Sequence, residues 1–164
     1  PKTEAATRTG RAFGIPMIYL NVTSVMQRVD PENAALYAGR ARACVDEIFR
    51  YHVHPELKCV LENVAVDGSA RLYYTEGRTV NPGHDIEGVW FLLEYARRTG
   101  DKELAGRAEE IFNWAINAAV QGLYVQGAVP PAANAGHDGP YGRGIACRIT
   151  ATGEVYGAEQ RKCI

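Results

Sequence analysis

Between Phe13 and Val29 the run FGIPMIYLNVTSVMQRV puts apolar side chains on most sides of a helix. It breaks at DPEN, where Asp30 offers an N-cap and Pro31 a first helical residue. The next helix has a different pattern. Ala34, Tyr37, Ala38, Ala41, Val45, Ile48 and Phe49 recur at three- and four-residue steps, opposite Glu32, Arg40, Arg42, Asp46, Glu47 and Arg50. The first helix is expected to lie inside, and the second to keep one face in water.

The alternation then repeats. Asn81 as cap and Pro82 at the first position open a helix whose Ile86, Val89, Trp90, Phe91, Leu92, Leu93 and Tyr95 wrap nearly all round, and Gly100 closes it. This helix is expected to be buried on every side. Asp101 caps a fourth, with Leu104, Ala108, Ile111, Phe112 and Ala115 on one side and Lys102, Arg107, Glu109, Glu110 and Asn113 toward water. Both wet helices carry the phrase AGRA, at 38–41 and 105–108, in matching places after their caps. A helical hairpin therefore looks duplicated, the unit of a closed ring or a solenoid.

Between the hairpins, β-prone runs mix with turn residues, and Asp67-Gly68 favours a tight reversal and a short β-hairpin. Beyond Ala118 the periodicity fails. The pattern predicts an all-α domain over 1–118 and an irregular, glycine- and proline-rich tail over 119–164.

Composition narrows the function classes. At 164 residues and 46% hydrophobic, the chain suits one globular domain. A net charge of -1 without a basic run gives a nucleic-acid backbone nothing to attract it. Cys44, Cys59, Cys147 and Cys163 are widely spaced with no Cys-x-x-Cys, unlike a zinc ribbon or a disulfide scaffold, so a reducing cytoplasm is the expected setting. No stretch reaches the roughly 20 apolar residues of a membrane span. The first residue is Pro1 rather than methionine, which suggests a fragment or a processed product.

The chemistry concentrates in RTVNPGHDIEGVWFLLEYARRTGD, residues 78–101. With Asn81 as cap, His84 falls in the first turn, where the helix dipole disfavours the imidazolium while Glu87 one turn on favours it. The opposing effects suit a histidine that titrates near neutrality and shuttles a proton. The same spacing also fits a histidine that merely satisfies the helix start, with Glu87 solvated. His-x-x-Glu further offers two metal ligands on one face. His52 and His54 would have to complete such a site, but they read as exposed histidines at a helix C-terminus. The ligand count is not met, and no metal is expected.

GIPMIYLNV, HPELKCVLENVAVDG and GRTVNPGHDIEGVWFLLEYARRTGD together resemble the N-acylglucosamine 2-epimerase family over residues 11–117. The resemblance implies an (α/α)6 barrel, of which this chain supplies part, and epimerisation at the carbon beside a sugar carbonyl. It implies two opposed histidines working through an enediol-like intermediate. The first maps onto His84, and Glu87 would orient its imidazole. Glu62, Asn63 and Trp90 fall where the family lines its sugar pocket. No cofactor is implied, although a nucleotide activates some relatives, and a homodimer is possible. The family's earlier arginine and later second histidine have no counterpart, and His137 lacks the second histidine's context. The abrupt loss of pattern after Ala118 would fit a shifted reading frame or a chimeric end. A helical-repeat module that binds a protein partner, or an aldose–ketose isomerase of the same family, remains as an alternative.

Overall fold

The structure, a computed structural model, describes residues 10–72, 77, 79–127 and 149–150, with side chains described as far as Ala119 in the first three stretches. Helix α1, Gly14–Val29, follows the two-residue strand β1, Arg11–Ala12. The DPEN break is real, but its cap is not built as expected. Pro31–Asn33 form a 3-10 turn before α2, Ala34–Glu47, and the Asp30 side chain makes no cap bond. Its Oδ2 instead accepts from the Tyr37 hydroxyl at 2.7 Å and from Asn33 Nδ2 at 2.9 Å. The tyrosine hydroxyl is the stronger competitor for the carboxylate, and it ties α2 back to the end of α1.

Helix α3, Pro82–Thr99, begins with Asn81 Oδ1 accepting from the His84 N–H and ends at Gly100 in the left-handed conformation, φ 73°. Asp101 Oδ1 accepts from Leu104 N at 2.9 Å and starts α4, Lys102–Gly127. The architecture is all-α among the described residues. α1 packs on α2 and α3 on α4, and the two hairpins join along α1 and α3.

The core is drawn from one stripe of each helix: Met17 and Leu20, then Ala41, Val45 and Ile48, then Val89, Leu92 and Ala96, then Leu104, Ala108 and Ile111. The AGRA repeat marks equivalent places in this packing, since Ala41 and Ala108 are both 0% exposed. Small side chains there let each wet helix approach its inner partner. Between the hairpins Gly88 does the same job, because a Cβ on it would come within 2.7 Å of Phe13 Cζ.

Two expectations about inner helices are corrected. Helix α3 is not buried all round: Gly83, Glu87 and Trp90 form an exposed strip, and Trp90 is 67% exposed. Helix α1 likewise leaves Ile15, Ile18, Tyr19, Val22 and Val29 in the open. Periodicity reported how many apolar residues there were, but not which of them the neighbouring helices reach.

A β-hairpin is present, though not at Asp67-Gly68. It pairs β2, Val53–His54, with β3, Cys59–Val60, and turns with Lys58 at φ 51°. Asp67-Gly68 does reverse the chain: Asp67 Oδ1 accepts from Ser69 N, and Gly68 at φ 88° lies where any Cβ would strike the Tyr51 ring. The strand entering that turn, β4, Asn63–Val64, pairs instead with β1. Strand β5, Thr79–Val80, pairs with β6, Ile149–Thr150. Helix α4 runs past Ala118, where the periodicity fades, to Gly127. The rest of the expected tail, apart from 149–150, lies outside the described residues.

Candidate functional site

His84 sits at the mouth of α3 because Pro82 fixes the first turn and Asn81 holds the His84 amide at 3.4 Å. Its ring meets a carboxylate, but not the one expected. Nδ1 lies 2.7 Å from Glu62 Oε1, whereas Glu87 stands exposed one turn further along. The reason is the segment between β3 and β4, which crosses the start of α3. There the backbone of Glu62 is held from both sides: its N–H donates to the Thr79 carbonyl at 3.0 Å, and its carbonyl accepts from Phe13 N at 2.8 Å. The Glu62 side chain is mostly enclosed, at 17% exposed, and His84 is half-open at 41%. A carboxylate can only accept, so Nδ1 carries the proton in this pair.

Two groups that the sequence reading missed lie behind it. His52 is 0% exposed rather than an open C-terminal histidine. Its Nδ1–H donates to the Leu61 carbonyl at 2.9 Å, its ring meets Phe13 at 5.7 Å between centroids, and Nε2 has no hydrogen-bond partner among the described residues. Burial pushes its pKa down, so the ring is held neutral. Asp85 is 2% exposed, with no partner for Oδ1 among the described residues. Desolvation, and then the nearby Glu62, push its carboxyl well above the ordinary range. Burial, with Asp85 and Glu56 adding to it, takes the Cys59 thiol up to about 12, which makes it inert rather than nucleophilic. A signal for the first two existed. His52 continues the buried stripe Ala41, Val45, Ile48, and Asp85 begins the stripe Val89, Leu92, Ala96.

Of the other expected residues, Glu87 and Trp90 share the exposed strip of α3, and the Trp90 ring lies 5.5 Å from that of Phe91. Asn63 sits in β4 opposite Ala12, half-buried. The structure thus joins Glu62 to His84 and leaves Glu87 and Trp90 along the same helix. His137 lies outside the described residues. Among the described residues no group of three or more His, Cys, Asp or Glu stands together to hold a metal ion. No described helix is long and apolar enough to cross a membrane.

Paired wet and inner helices, with a histidine–carboxylate contact at the mouth of an inner one, make this a helical-hairpin protein. The profile of the N-acylglucosamine 2-epimerase (GlcNAc 2-epimerase) family matches residues 4–129. The chain belongs to that family. It is 38% identical over 104 residues to the N-acylglucosamine 2-epimerase of Mus musculus, covering 63% of this chain and 24% of that protein. The Homo sapiens enzyme of the same name is 38% identical over 100 residues, 61% of this chain and 23% of that one. The Bos taurus enzyme is 37% identical over 101 residues, 62% and 24%. The chain therefore spans about a quarter of the length of the curated relatives it matches.

Proposed function

We propose that this chain carries one of the two acid–base groups of a sugar 2-epimerase that interconverts N-acylglucosamine and N-acylmannosamine. The observation that carries the reading is the 2.7 Å contact of His84 with Glu62 at an open helix mouth. With Nδ1–H held by the carboxylate, proton traffic falls to Nε2. Nε2 takes the proton from the carbon next to the carbonyl, the C–H electron pair forms a double bond to the carbonyl carbon, and the carbonyl π pair moves onto its oxygen to give an enolate. Return of a proton to the other face of that carbon, by a second group, gives the epimer. Glu62 favours the imidazolium that forms on the way. Glu87 and Trp90 flank the sugar on the exposed strip of α3, and Asn63 reaches it from β4. The second group comes from the remainder of an (α/α)6 barrel, since His52 is buried and His54 is engaged with Glu56 and the Tyr51 carbonyl. The setting we propose is cytoplasmic, without a cofactor, with a nucleotide activator or a homodimer as open additions.

A second reading, a hairpin module that binds a protein, is favoured by the apolar face of α1 alone. Incubation of a complete barrel, rebuilt around residues 11–117 from a related chain, with N-acetylmannosamine in deuterium oxide separates the two. The epimerase reading expects deuterium at the reacting carbon and its loss in His84→Asn. Sugar that neither exchanges nor raises the melting temperature of that rebuilt barrel would leave the binding module.

A further inference from the structure

Glu62 can act on His84 only if its backbone stays in place, and a loop between two-residue strands offers little rigidity of its own. Leu61, the residue before Glu62, is nevertheless gripped at both its backbone N–H and its carbonyl. Leu61 N–H donates to the His52 carbonyl at 2.9 Å, and the His52 side chain donates through Nδ1 to the Leu61 carbonyl, also at 2.9 Å. One residue thus supplies both an acceptor and a donor to the residue before Glu62. The ring is itself locked by complete burial and by the Phe13 ring, whose own residue donates its N–H to the Glu62 carbonyl.

We propose that His52 is a positioning residue: its imidazole clamps the Leu61 carbonyl and thereby holds Glu62 against His84. The proposal rests on reading His84 as the proton carrier, and it gives the second buried histidine a task in the same site. An apolar side chain of similar volume would fill this space without an orphaned Nε2. What the imidazole adds is the single donor that the Leu61 carbonyl receives from it. Hydrogen bonds that orient the partner of a reacting group set how well that group is tuned, even though they never touch substrate.

The test follows the imidazole signals of the full 164-residue chain by NMR through a pH titration, for the parent and for Glu62→Gln, His52→Leu and His52→Asn. Removing a carboxylate next to His84 lowers its titration midpoint, so Glu62→Gln sets the scale. His52→Leu deletes the donor and keeps the bulk, and it should produce at least half of that downward shift. His52→Asn places an amide N–H close to where Nδ1 stood and should restore the parent midpoint. A folded His52→Leu chain with the parent midpoint overturns the proposal. If the leucine variant does not fold, the asparagine variant decides. The parent midpoint with unchanged protection of the Leu61 and Glu62 amides supports the clamp, and the Glu62→Gln midpoint overturns it. No sugar is needed for these readings. A clamp that holds while the barrel rebuilt around residues 11–117 exchanges no deuterium into N-acetylmannosamine would sink the epimerase reading and leave the role of His52 standing.

Discussion

Glu62 and His84, 22 residues apart in the chain, meet at 2.7 Å between Oε1 and Nδ1, while Glu87 on the histidine's own helix faces outward. The carboxylate that tunes the imidazole therefore comes from a loop anchored by strand and helix ends, not from the next turn of α3. The tuning is then as firm as the anchoring of that loop.

The two carboxylates give opposite expectations. Glu62→Gln keeps the reach of the side chain and loses the charge, so the titration midpoint of His84 should fall. Glu87→Gln should leave it within measurement error, because a solvated charge is screened. Equal shifts in the two variants, measured by imidazole NMR, would restore the role first expected of Glu87.

Gly88 should be intolerant of even one methyl group. A Cβ there meets the Phe13 ring at 2.7 Å and Met17 Cγ at 3.5 Å, and Phe13 also carries the amide that holds Glu62. Overpacking of this kind typically destabilises by about 1–3 kcal/mol, more than the helix propensity gained by replacing glycine with alanine. Gly88→Ala should lower the urea midpoint with the m-value unchanged, whereas Gly106→Ala, with nothing within 4 Å, should raise it slightly. Equal behaviour of the two would mean that α1 and α3 do not approach as described.

Much of this was legible from local pattern. Asn81, Gly100 and Asp101 cap where their types and positions said they would, and the AGRA repeat lands on two fully buried alanines. What stayed hidden was long-range. Nothing local pairs Glu62 with His84, and an apolar count around α3 could not show that Trp90 faces away from its neighbours. His52 was expected in the open and Asp85 was passed over for another reason: polar residues on a buried stripe contradict the pattern, and such contradictions often mark functional positions. Asp30 shows the limit of cap rules, because a tyrosine hydroxyl seven residues on took the carboxylate instead. Helix α4 also runs past Ala118, where the apolar period fades, since a helix already started gains a hydrogen bond with each further residue.

Trp90 separates binding from stability. With 67% of the residue exposed, Trp90→Ala should change stability by less than about 0.5 kcal/mol in either direction. If the tryptophan faces the sugar, the same variant should lose most of the thermal protection given by N-acetylmannosamine. A large fall in melting temperature without ligand would show instead that the ring packs in the fold.

Asp85 makes the stability of the chain depend on pH in a direction opposite to that of most surface carboxylates. Its folded pKa is raised above the ordinary 3.8 by burial and then by Glu62. The neutral form is thus favoured by the fold. Its contribution is complete below the unfolded value and is lost as pH rises toward the folded one, at about 1.4 kcal/mol per pH unit over that window. Asp85→Asn is close in shape and cannot ionise, so it removes this slope. Its added N–H groups need partners, and near pH 4 the variant should be no more stable than the parent. As the pH rises from there, the gap in melting temperature should move in favour of the variant until the carboxyl of the folded parent itself ionises. Parallel curves for the two proteins across that range would mean that Asp85 is ionised in the fold, with a counter-charge or water on Oδ1 that keeps it so.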